Sequence, residues 1–507
     1  MGDRLFIGID SGTQGTKAVV LSEKRCGVIA ESYSGYDLLE NERGGREQHP
    51  ETWIQACRKV LGELLTFKNV DPSLIKAIGV SGQQHGMVPL DKSGKVIRPA
   101  KLWCDTETAP QCGTITTRIG GEQAVVDKIG NQVAAGFTAS KILWMLENEP
   151  ENYDRIASIL LPHDYINLWL TGEVKTECGD ASGTAYFDVV NRCWSDDMLN
   201  AIDSTGKLQS CLPELIESSA PNGIVRAGLA EEFGLSKGVI VSSGGGDNMM
   251  AAIGTGNVTE GVVTASLGTS GTIYAHSSNP VVDKSGELAA FCSSTNGWLP
   301  LVCTMNVTVA TELIRELFGL SIEEMNRYVG DVSPGSGGLL LLPYFNGERT
   351  PALPLATATI TGMTSMNMRA EMFCRAAMEG ATFGLKYGLD VMKRNGINAR
   401  EIRLTGGGAK SRQWRQIVAD VFDCEVVRVT GEEAGAIGAA LQALWCHHSE
   451  KGQSVALEEI TASFVKLDES SKVFPKPSIA AHYDEIYKKY MAVNEAMYSL
   501  PGNVLDR

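Results

Sequence analysis

The sequence holds twelve cysteines among its 507 residues, yet no two stand at CxxC spacing. That absence excludes a zinc ribbon and a redox dithiol, and thiols scattered singly through a chain of this size read as buried, reduced side chains of a cytoplasmic protein. The one Cys/His group, Cys446, His447 and His448, is a run of neighbours without the spacing that ligands to one metal require. No apolar run reaches about 18 residues, so no helix is expected to cross a membrane. Positive charge is also scarce. With a formal net charge of -15, the chain is not expected to bind nucleic acid or an anionic membrane, and a small-molecule ligand in a local pocket is the better expectation. The opening stretch MGDRLFIGID turns polar too soon for a secretory signal, and Phe6 stands where a myristoylation signal has Ser or Thr. Missing as well are GxxxxGK[ST] and GxGxxG, so neither a Walker loop nor a dinucleotide-binding turn accounts for the glycines that are present.

What is present is a repeat. FIGIDSGTQGTKAVV, from Phe6 to Val20, and VTASLGTSGTIY, from Val263 to Tyr274, match Gly12, Thr13, Gly15 and Thr16 to Gly268, Thr269, Gly271 and Thr272, about half a chain apart. Around each copy, β-branched runs broken by Gly and Ser read as a strand meander, followed by helix and strand in alternation. In the first half HPETWIQACRKVLGELL has helical apolar spacing with Pro50 at a first helical position. In the second, AEMFCRAAMEGATFGLKYGLDVMKRNG is a long amphipathic helix ahead of the strand EIRLTGGG. The chain is too long for one core, and the expected division is 1–253, 254–450 and a tail of 451–507. In the tail, Tyr483, Ile486, Tyr487, Tyr490 and Met491 share one helical face, which fits a helix docked on its own domain or a homodimer contact.

A glycine-rich strand-turn-strand exposes backbone N–H groups that phosphate oxygens can use. Gly12, Thr13, Gln14, Gly15, Thr16 and Lys17 of the first copy, with Gly268 and Thr269 of the second, are therefore candidate donors to one polyphosphate; the bland alternative is an ordinary tight hairpin. Only the first copy carries an acid. Asp10 would repel phosphate unless a hydrated Mg²⁺ lay between them, a metal that commonly takes one or two carboxylates; otherwise it caps a turn. Asp247 follows Gly244, Gly245 and Gly246 at the exit of a buried strand. It is either a helix N-cap or a general base, with the glycines letting a second molecule approach the backbone. Gly406, Gly407 and Gly408, with Ser411 just beyond, form a third glycine turn that either holds the face of a nucleobase or only joins strand to helix. His85 in GQQHG and Asp105 in KLWCDTE bring polar groups into strand-end loops, where hydroxyl recognition is one reading and a structural histidine the other.

Taken in order, GIDSGTQGTK, GQQHG, LWCDTE, GFTASKILWMLEN, LLPHDYINLWLTGE, SGGGDN, SLGTSGT, LPYFNGERTP and TGGGAKSRQWRQIVAD resemble the FGGY carbohydrate kinases from about Leu5 to about Leu444, most closely the branch that acts on xylulose. The resemblance implies an α/β, actin-like ATPase-type fold of two ribonuclease H-like domains with a cleft between them. It implies transfer of the γ-phosphate of ATP to the terminal hydroxyl of a ketopentose. Asp10 then belongs to the magnesium and phosphate site, with Asp247 beside the metal and acting as the catalytic base. Gly406 to Gly408 and Ser411 serve adenosine, while His85, Asp105, Asp247 and Asn248 meet the sugar. Gln84 departs from the family's bacterial pattern, which often has methionine before the histidine-glycine pair. That amide beside the sugar leaves the substrate open among xylulose, ribulose, pentitols and glycerol.

Two rivals stand beside the kinase. An ATP-driven conformational relative of actin would share the phosphate hairpins but would not need GQQHG, LWCDTE or the GGGDN site. A sugar-binding pseudokinase would not need both Asp10 and Asp247.

Overall fold

In the computed structural model, which describes residues 2–431 and 433–498, strand β1 (Leu5–Ser11) is apolar without alternation because it is covered on both faces. Leu5, Ile7 and Ile9 share a core with Trp53, Cys57, Val60 and Leu61 of the helix Pro50–Leu64, while Phe6 packs with Ala77, Ile253, Ala436 and Ala439. Each Leu, Ile, Val or Phe among them, fully buried, contributes roughly 1.5–3 kcal/mol of transfer free energy. Pro50 occupies the first helical turn as its missing N–H allows, and the His49 side chain accepts the N–H of Glu51.

Strand β1 pairs antiparallel with β2 (Gly15–Ser22), which pairs antiparallel with β3 (Gly27–Gly35); on its other side β1 runs parallel to β4 (Ile75–Gly82). Then come β5 (Pro221–Ile224), antiparallel to β6 (Ile240–Ser242), and β6 itself, parallel to β4. A short β7 (Gly245–Gly246) lies beside the end of β4. The order across this sheet is β5-β6-β4-β1-β2-β3. The second sheet repeats its order of pairing directions, although its outer strand follows its neighbour in the chain instead of preceding it. There β8 (Val262–Leu267) is antiparallel to β9 (Gly271–Ala275), which is antiparallel to β10 (Leu301–Thr304). On its other side β8 is parallel to β11 (Glu401–Thr405), β11 is parallel to β12 (Glu425–Val429), and β12 is antiparallel to β13 (Leu467–Val473). Three antiparallel strands followed by parallel crossovers, twice, agree with the expected pair of ribonuclease H-like sheets.

The chain gathers into two compact units. One comprises Met1–Thr259, His276–Leu299 and Glu433–Val465, the other Glu260–Ala275, Pro300–Glu432 and Lys466–Arg507. The ranges 1–253, 254–450 and 451–507 divide the chain by sequence, whereas the first spatial unit draws on all three and the second on the last two. In the first unit the helix Ala434–Glu450 lies so close to the sheet that a Cβ on Gly8 would stand 1.8 Å from the carbonyl oxygen of Ala436, and one on Gly79 2.0 Å from that of Ala439. The same helix grips the helix Asp247–Gly254, where a Cβ on Gly438 would stand 1.8 Å from the carbonyl oxygen of Met250. Small residues thus tie the strand that carries Asp10 and the helix that begins with Asp247 to one support.

In the second unit the tail helix Pro477–Tyr498 docks on the helix Ala370–Arg394. The Arg375 guanidinium donates to the Tyr483 hydroxyl at 2.7 Å, that hydroxyl donates to Glu379 at 2.7 Å, and Phe383 packs against Tyr483, Tyr487 and Tyr490. Among the described residues no helix is long and apolar enough to cross a membrane, and all twelve cysteines are free.

Candidate active site

Open α/β sheets present their ligand sites at the carboxyl ends of parallel strands. In the first unit those ends carry Asp10 (β1), the GQQHG loop (β4) and Asp247 (after β7). Asp10 is half-buried and stands in register with Lys17 of β2 and Ser81 of β4. The Ser81 hydroxyl donates to its Oδ1 at 2.6 Å, while the Lys17 ammonium is drawn aside to Glu433 at 2.8 Å. Burial and the Glu433 charge hold the Asp10 carboxyl above the ordinary carboxylate value, against the pull of Ser81 and Lys17. A Cβ on Gly435 would stand 2.6 Å from Asp10 Oδ2, so glycine there keeps that oxygen uncovered.

Asp247 is the first residue of its helix, not the cap, and no side chain caps that helix. Its Oδ1 accepts the backbone N–H of Asn248 at 2.7 Å and the Asn248 side-chain amide at 3.0 Å. The same Asn248 amide donates to Gln84 Oε1 at 2.9 Å, which brings the proposed base and the GQQHG loop together. Burial, and then the charges of Asp10 and Asp180, push the Asp247 carboxyl up to about 7.

The three glycines before Asp247 do not open the backbone to a second molecule; the protein itself fills that space. A Cβ on Gly244 would meet the Val80 carbonyl at 2.7 Å, one on Gly245 the Ser294 hydroxyl at 2.3 Å, and one on Gly246 the Gln84 side chain at 2.7 Å.

His85 adopts φ 65° and packs its ring near Phe137 and Phe291, with centroids 4.6 and 6.0 Å away. Its carbonyl accepts from Thr138 and, at 2.6 Å, from the buried Lys141 ammonium. Asp105 is fully buried: Oδ2 accepts from the Arg46 N–H at 2.9 Å and Lys101 at 3.0 Å, and Oδ1 from the Glu107 N–H at 3.1 Å. Hydroxyl recognition by Asp105 therefore requires one of these bonds to be exchanged.

Both glycine hairpins turn their carbonyls inward. In the first, Tyr36 donates its hydroxyl to Gly12 O at 2.7 Å, Gln48 its amide to Thr13 O at 2.7 Å, Tyr33 its hydroxyl to Gln14 O at 3.1 Å, and Gly12 its N–H to Gly15 O at 3.0 Å. In the second, Thr308 and Val307 donate their N–H groups to Gly268 O at 2.9 Å and Thr269 O at 3.1 Å. With carbonyls satisfied by the protein, N–H groups other than that of Gly12 are what these turns can offer an anion. The threonine hydroxyls are less available than the sequence suggests: Thr16 is buried against Ser11 and Tyr36, and Thr13 bonds Gln83 and Trp103. The second hairpin is also one residue tighter. Ser11 pairs with Thr16 around residues 12–15, but Leu267 pairs with Gly271 around residues 268–270.

The second unit brings its ATP candidates together. At φ 82°, Gly406 lies so close to the hairpin that a Cβ would meet the Leu267 carbonyl at 2.7 Å, whereas Gly407 faces open space. Ser411 caps the helix Arg412–Phe422, accepting the Trp414 N–H at 3.2 Å.

Several supporting residues escaped the sequence reading: Ser81, Lys141, Glu348, and a buried group of His163, Asp164, Glu177 and Asp180. Glu348 braces the loop under the second hairpin, accepting from the Met305 N–H at 2.6 Å and from Asn306 at 3.2 Å. LLPHDYINLWLTGE and LPYFNGERTP held two of the signals, since both place acids in apolar surroundings.

Asp10 and Asp247 repel one another, and one Asp10 oxygen is uncovered. That fits a divalent cation keeping most of its waters, and no cluster of three or more acids, cysteines or histidines able to hold a metal occurs among the described residues.

The sequence model of the FGGY family of carbohydrate kinases, N-terminal domain, matches residues 5–254, and that of its C-terminal domain matches residues 263–447. The chain is 45% identical over 498 residues to a protein named xylulose kinase from Haemophilus influenzae, covering 97% of this chain and 100% of the relative. Among solved structures it resembles a xyloylose kinase from Brucella ovis, with a TM-score of 0.91, 29% identity, and coverage of 98% of this chain and 100% of that one. It also resembles xylulose kinase from Bifidobacterium adolescentis, with a TM-score of 0.83, 30% identity, and coverage of 96% and 99%.

Proposed function

We propose that this chain, which belongs to the FGGY family of carbohydrate kinases, phosphorylates D-xylulose at O5 with ATP, in the cytoplasm. It is an ATP-dependent sugar kinase with the two-domain fold of that family, and xylulose is the substrate named for the relatives it matches along nearly its whole length. Membership in a kinase family removes the support for an ATP-driven conformational protein.

One observation carries the site assignment: Asp247 is joined through Asn248 to Gln84, so the acid and the GQQHG loop form one hydrogen-bonded group at the sheet end that also carries Asp10. A sugar hydroxyl is a poor nucleophile at neutral pH. Asp247, with its carboxyl at about 7, is poised to accept that proton late in phosphoryl transfer. Gln84, His85, Asp105 and Asn248 are the proposed sugar residues, and they supply orientation: holding the attacking oxygen in line at about 3–3.5 Å meets much of the entropic barrier on binding. Asp10 and Asp247 would hold Mg²⁺, which when bound offsets charge on the phosphates. Gly12 to Lys17 in the first unit, and Gly268, Thr269, Gly406 to Gly408 and Ser411 in the second, are assigned to ATP.

The test is an ATP-coupled assay over ketopentoses, hexuloses, pentitols and glycerol, ranked by kcat/KM. The proposal expects D-xylulose first. A higher kcat/KM for ribulose, a pentitol or glycerol contradicts the substrate assignment, and slow ATP consumption unchanged by any sugar contradicts the activity.

A further inference from the structure

The loop that follows β4 sends neighbouring side chains to different places. Gln84 turns toward the base site, its Oε1 accepting from Asn248 Nδ2 at 2.9 Å. Gln83, the residue before it, is buried and turns instead toward the first glycine hairpin. Its backbone N–H donates to Ser11 O at 2.9 Å, and its side-chain Oε1 accepts from the Thr13 hydroxyl at 3.2 Å. Gln83 Nε2 donates in turn to Gln48 Oε1 at 2.9 Å, and Gln48 Nε2 comes back to the hairpin, donating to the Thr13 carbonyl at 2.7 Å. Three residues from separate segments thus close a ring of hydrogen bonds on one residue of the hairpin.

Chemistry fixes the direction of every bond in this ring. Gln48 is buried as well; its Nε2 donates a second time, to Asp37 O at 3.2 Å, and its Oε1 accepts a second time, from Trp53 Nε1 at 2.9 Å. A backbone carbonyl only accepts and an indole N–H only donates, so Gln48 cannot be reversed, and both hydrogens and both lone pairs of its amide are in use. Gln83 must therefore offer its NH₂ to Gln48 and its oxygen to Thr13. The Thr13 hydroxyl donates to that oxygen and accepts from Trp103 Nε1 at 2.9 Å.

This tether also sets the neighbouring N–H. In a trans peptide the N–H points opposite to the C=O, so a Thr13 carbonyl held toward buried Gln48 turns the Gln14 N–H away from the ring. Gln14 is exposed, and among the described residues its N–H donates no hydrogen bond. Gly12 and Gly15 flank the two residues, and glycine restrains the backbone of such a turn least. Left untethered, the Thr13–Gln14 peptide could turn its carbonyl, instead of its N–H, toward an anion.

We propose that Gln48 and Gln83 are positioning residues: the Thr13–Gln83–Gln48 ring holds the Thr13–Gln14 peptide with its N–H presented to the phosphates of ATP. Gln48 sets the peptide, and Gln83 holds both Gln48 and the Thr13 hydroxyl. Both side chains are buried and act through Thr13. The proposal rests on the assignment of the first hairpin to ATP and deepens it.

The test measures kcat and KM for ATP and D-xylulose, with thermal unfolding, in the full chain carrying Gln48→Met or Trp53→Phe. Each substitution removes a hydrogen bond of Gln48, but only Gln48→Met releases the Thr13 carbonyl. Gln48→Met is expected to raise KM for ATP about tenfold while KM for D-xylulose stays within about twofold of native. Trp53→Phe should leave KM for ATP within about twofold even where it lowers the unfolding temperature. An unchanged KM for ATP in Gln48→Met, a matching rise in its KM for D-xylulose, or an equal rise in KM for ATP in both variants overturns the proposal. If Gln48→Met does not fold, Gln83→Met takes its place, and its KM for ATP decides in the same way. Gly12→Asp is measured alongside, since a Cβ there has only Gly15 O nearby, at 3.8 Å, and the substitution sets a negative charge in the hairpin itself. A native KM for ATP in Gly12→Asp removes the assignment of the hairpin to ATP, whereas a large rise there with an unchanged Gln48→Met removes only the positioning role.

Discussion

The Ser81 hydroxyl donates to Asp10 Oδ1 at 2.6 Å across the parallel pairing of β4 with β1. In the second sheet, the corresponding parallel pair at the end of β8 and β11 is Ser266 and Thr405. One sheet end thus carries an acid and a hydroxyl, the other two hydroxyls. The repeat is one of strand pairing directions and glycine spacing, while charge is placed once, where a neighbouring donor holds the half-buried carboxylate.

Removing that donor should weaken the grip on the metal. Ser81→Ala leaves Asp10 without the hydrogen bond that favours its ionised form, and hydrogen bonds to charged groups are worth about 1.5–3 kcal/mol. We expect the Mg²⁺ concentration for half-maximal activity to rise about tenfold or more, with the unfolding temperature little changed. Activity titrated with Mg²⁺ at fixed ATP measures this, and an unchanged midpoint contradicts the Asp10 assignment.

Two glycine-to-alanine changes should differ in sign. At Gly438 the added methyl would meet the Met250 carbonyl at 1.8 Å, whereas Gly384, within the helix Ala370–Arg394, has nothing within 4 Å of that position. Gly438→Ala should destabilise by about 1–3 kcal/mol or more, and Gly384→Ala should stabilise by about 0.4–1 kcal/mol. Urea unfolding of both variants decides it, and equal effects would mean the close helix contact is not under strain.

Local chemistry made much of this legible from sequence. Pro50 marked a helix start, the run from Leu5 to Ile9 marked a buried strand, and the two glycine hairpins marked the sheet ends that carry the candidate ligand groups. Asp247 stands out in the sequence because three glycines and a helix start surround it, and in the fold those glycines make room for Val80, Ser294 and Gln84 rather than for a second molecule. What could not be read depends on residues far apart in the chain. Gln84 meets Asn248 only when the end of β4 and the helix Asp247–Gly254 are assembled, and His163 meets Asp180 only when their two segments fold together. The tighter second hairpin was hidden too, because Gly and Thr at the same spacing close with a different register.

Gly407 offers a direct probe of nucleotide handling. Its Cβ direction is open within 4 Å, so Gly407→Leu should fold and place bulk where adenosine is assigned. KM for ATP is expected to rise about tenfold while KM for the sugar stays within about twofold. A matching rise in both constants contradicts the assignment.

Lys141 predicts a pH dependence of stability. It is fully buried, donates to the carbonyls of His85 at 2.6 Å and Gly136 at 2.7 Å, and burial pushes its ammonium down to about 7. An unfolded lysine keeps its proton to about pH 10.4. Between these values the unfolded chain binds more protons, so this group adds stability as pH rises from about 7 toward 10, with a slope of at most about 1.4 kcal/mol per pH unit. Below pH 7 both states are protonated and the slope vanishes. Lys141→Met should remove the slope whatever it does to the absolute value, as urea unfolding at about pH 6, 7.5 and 9, one point below the onset and two above it, would reveal. Parallel curves for the two proteins contradict the account.

The central claim is that Asp247 takes the proton of the attacking hydroxyl. Turnover of Asp247→Ala with D-xylulose, saturating ATP and Mg²⁺ tests it most directly, with circular dichroism and thermal unfolding to establish that the fold persists. The account predicts a fall in kcat of roughly 10²- to 10⁴-fold. A folded Asp247→Ala protein that phosphorylates D-xylulose at a near-native rate contradicts it.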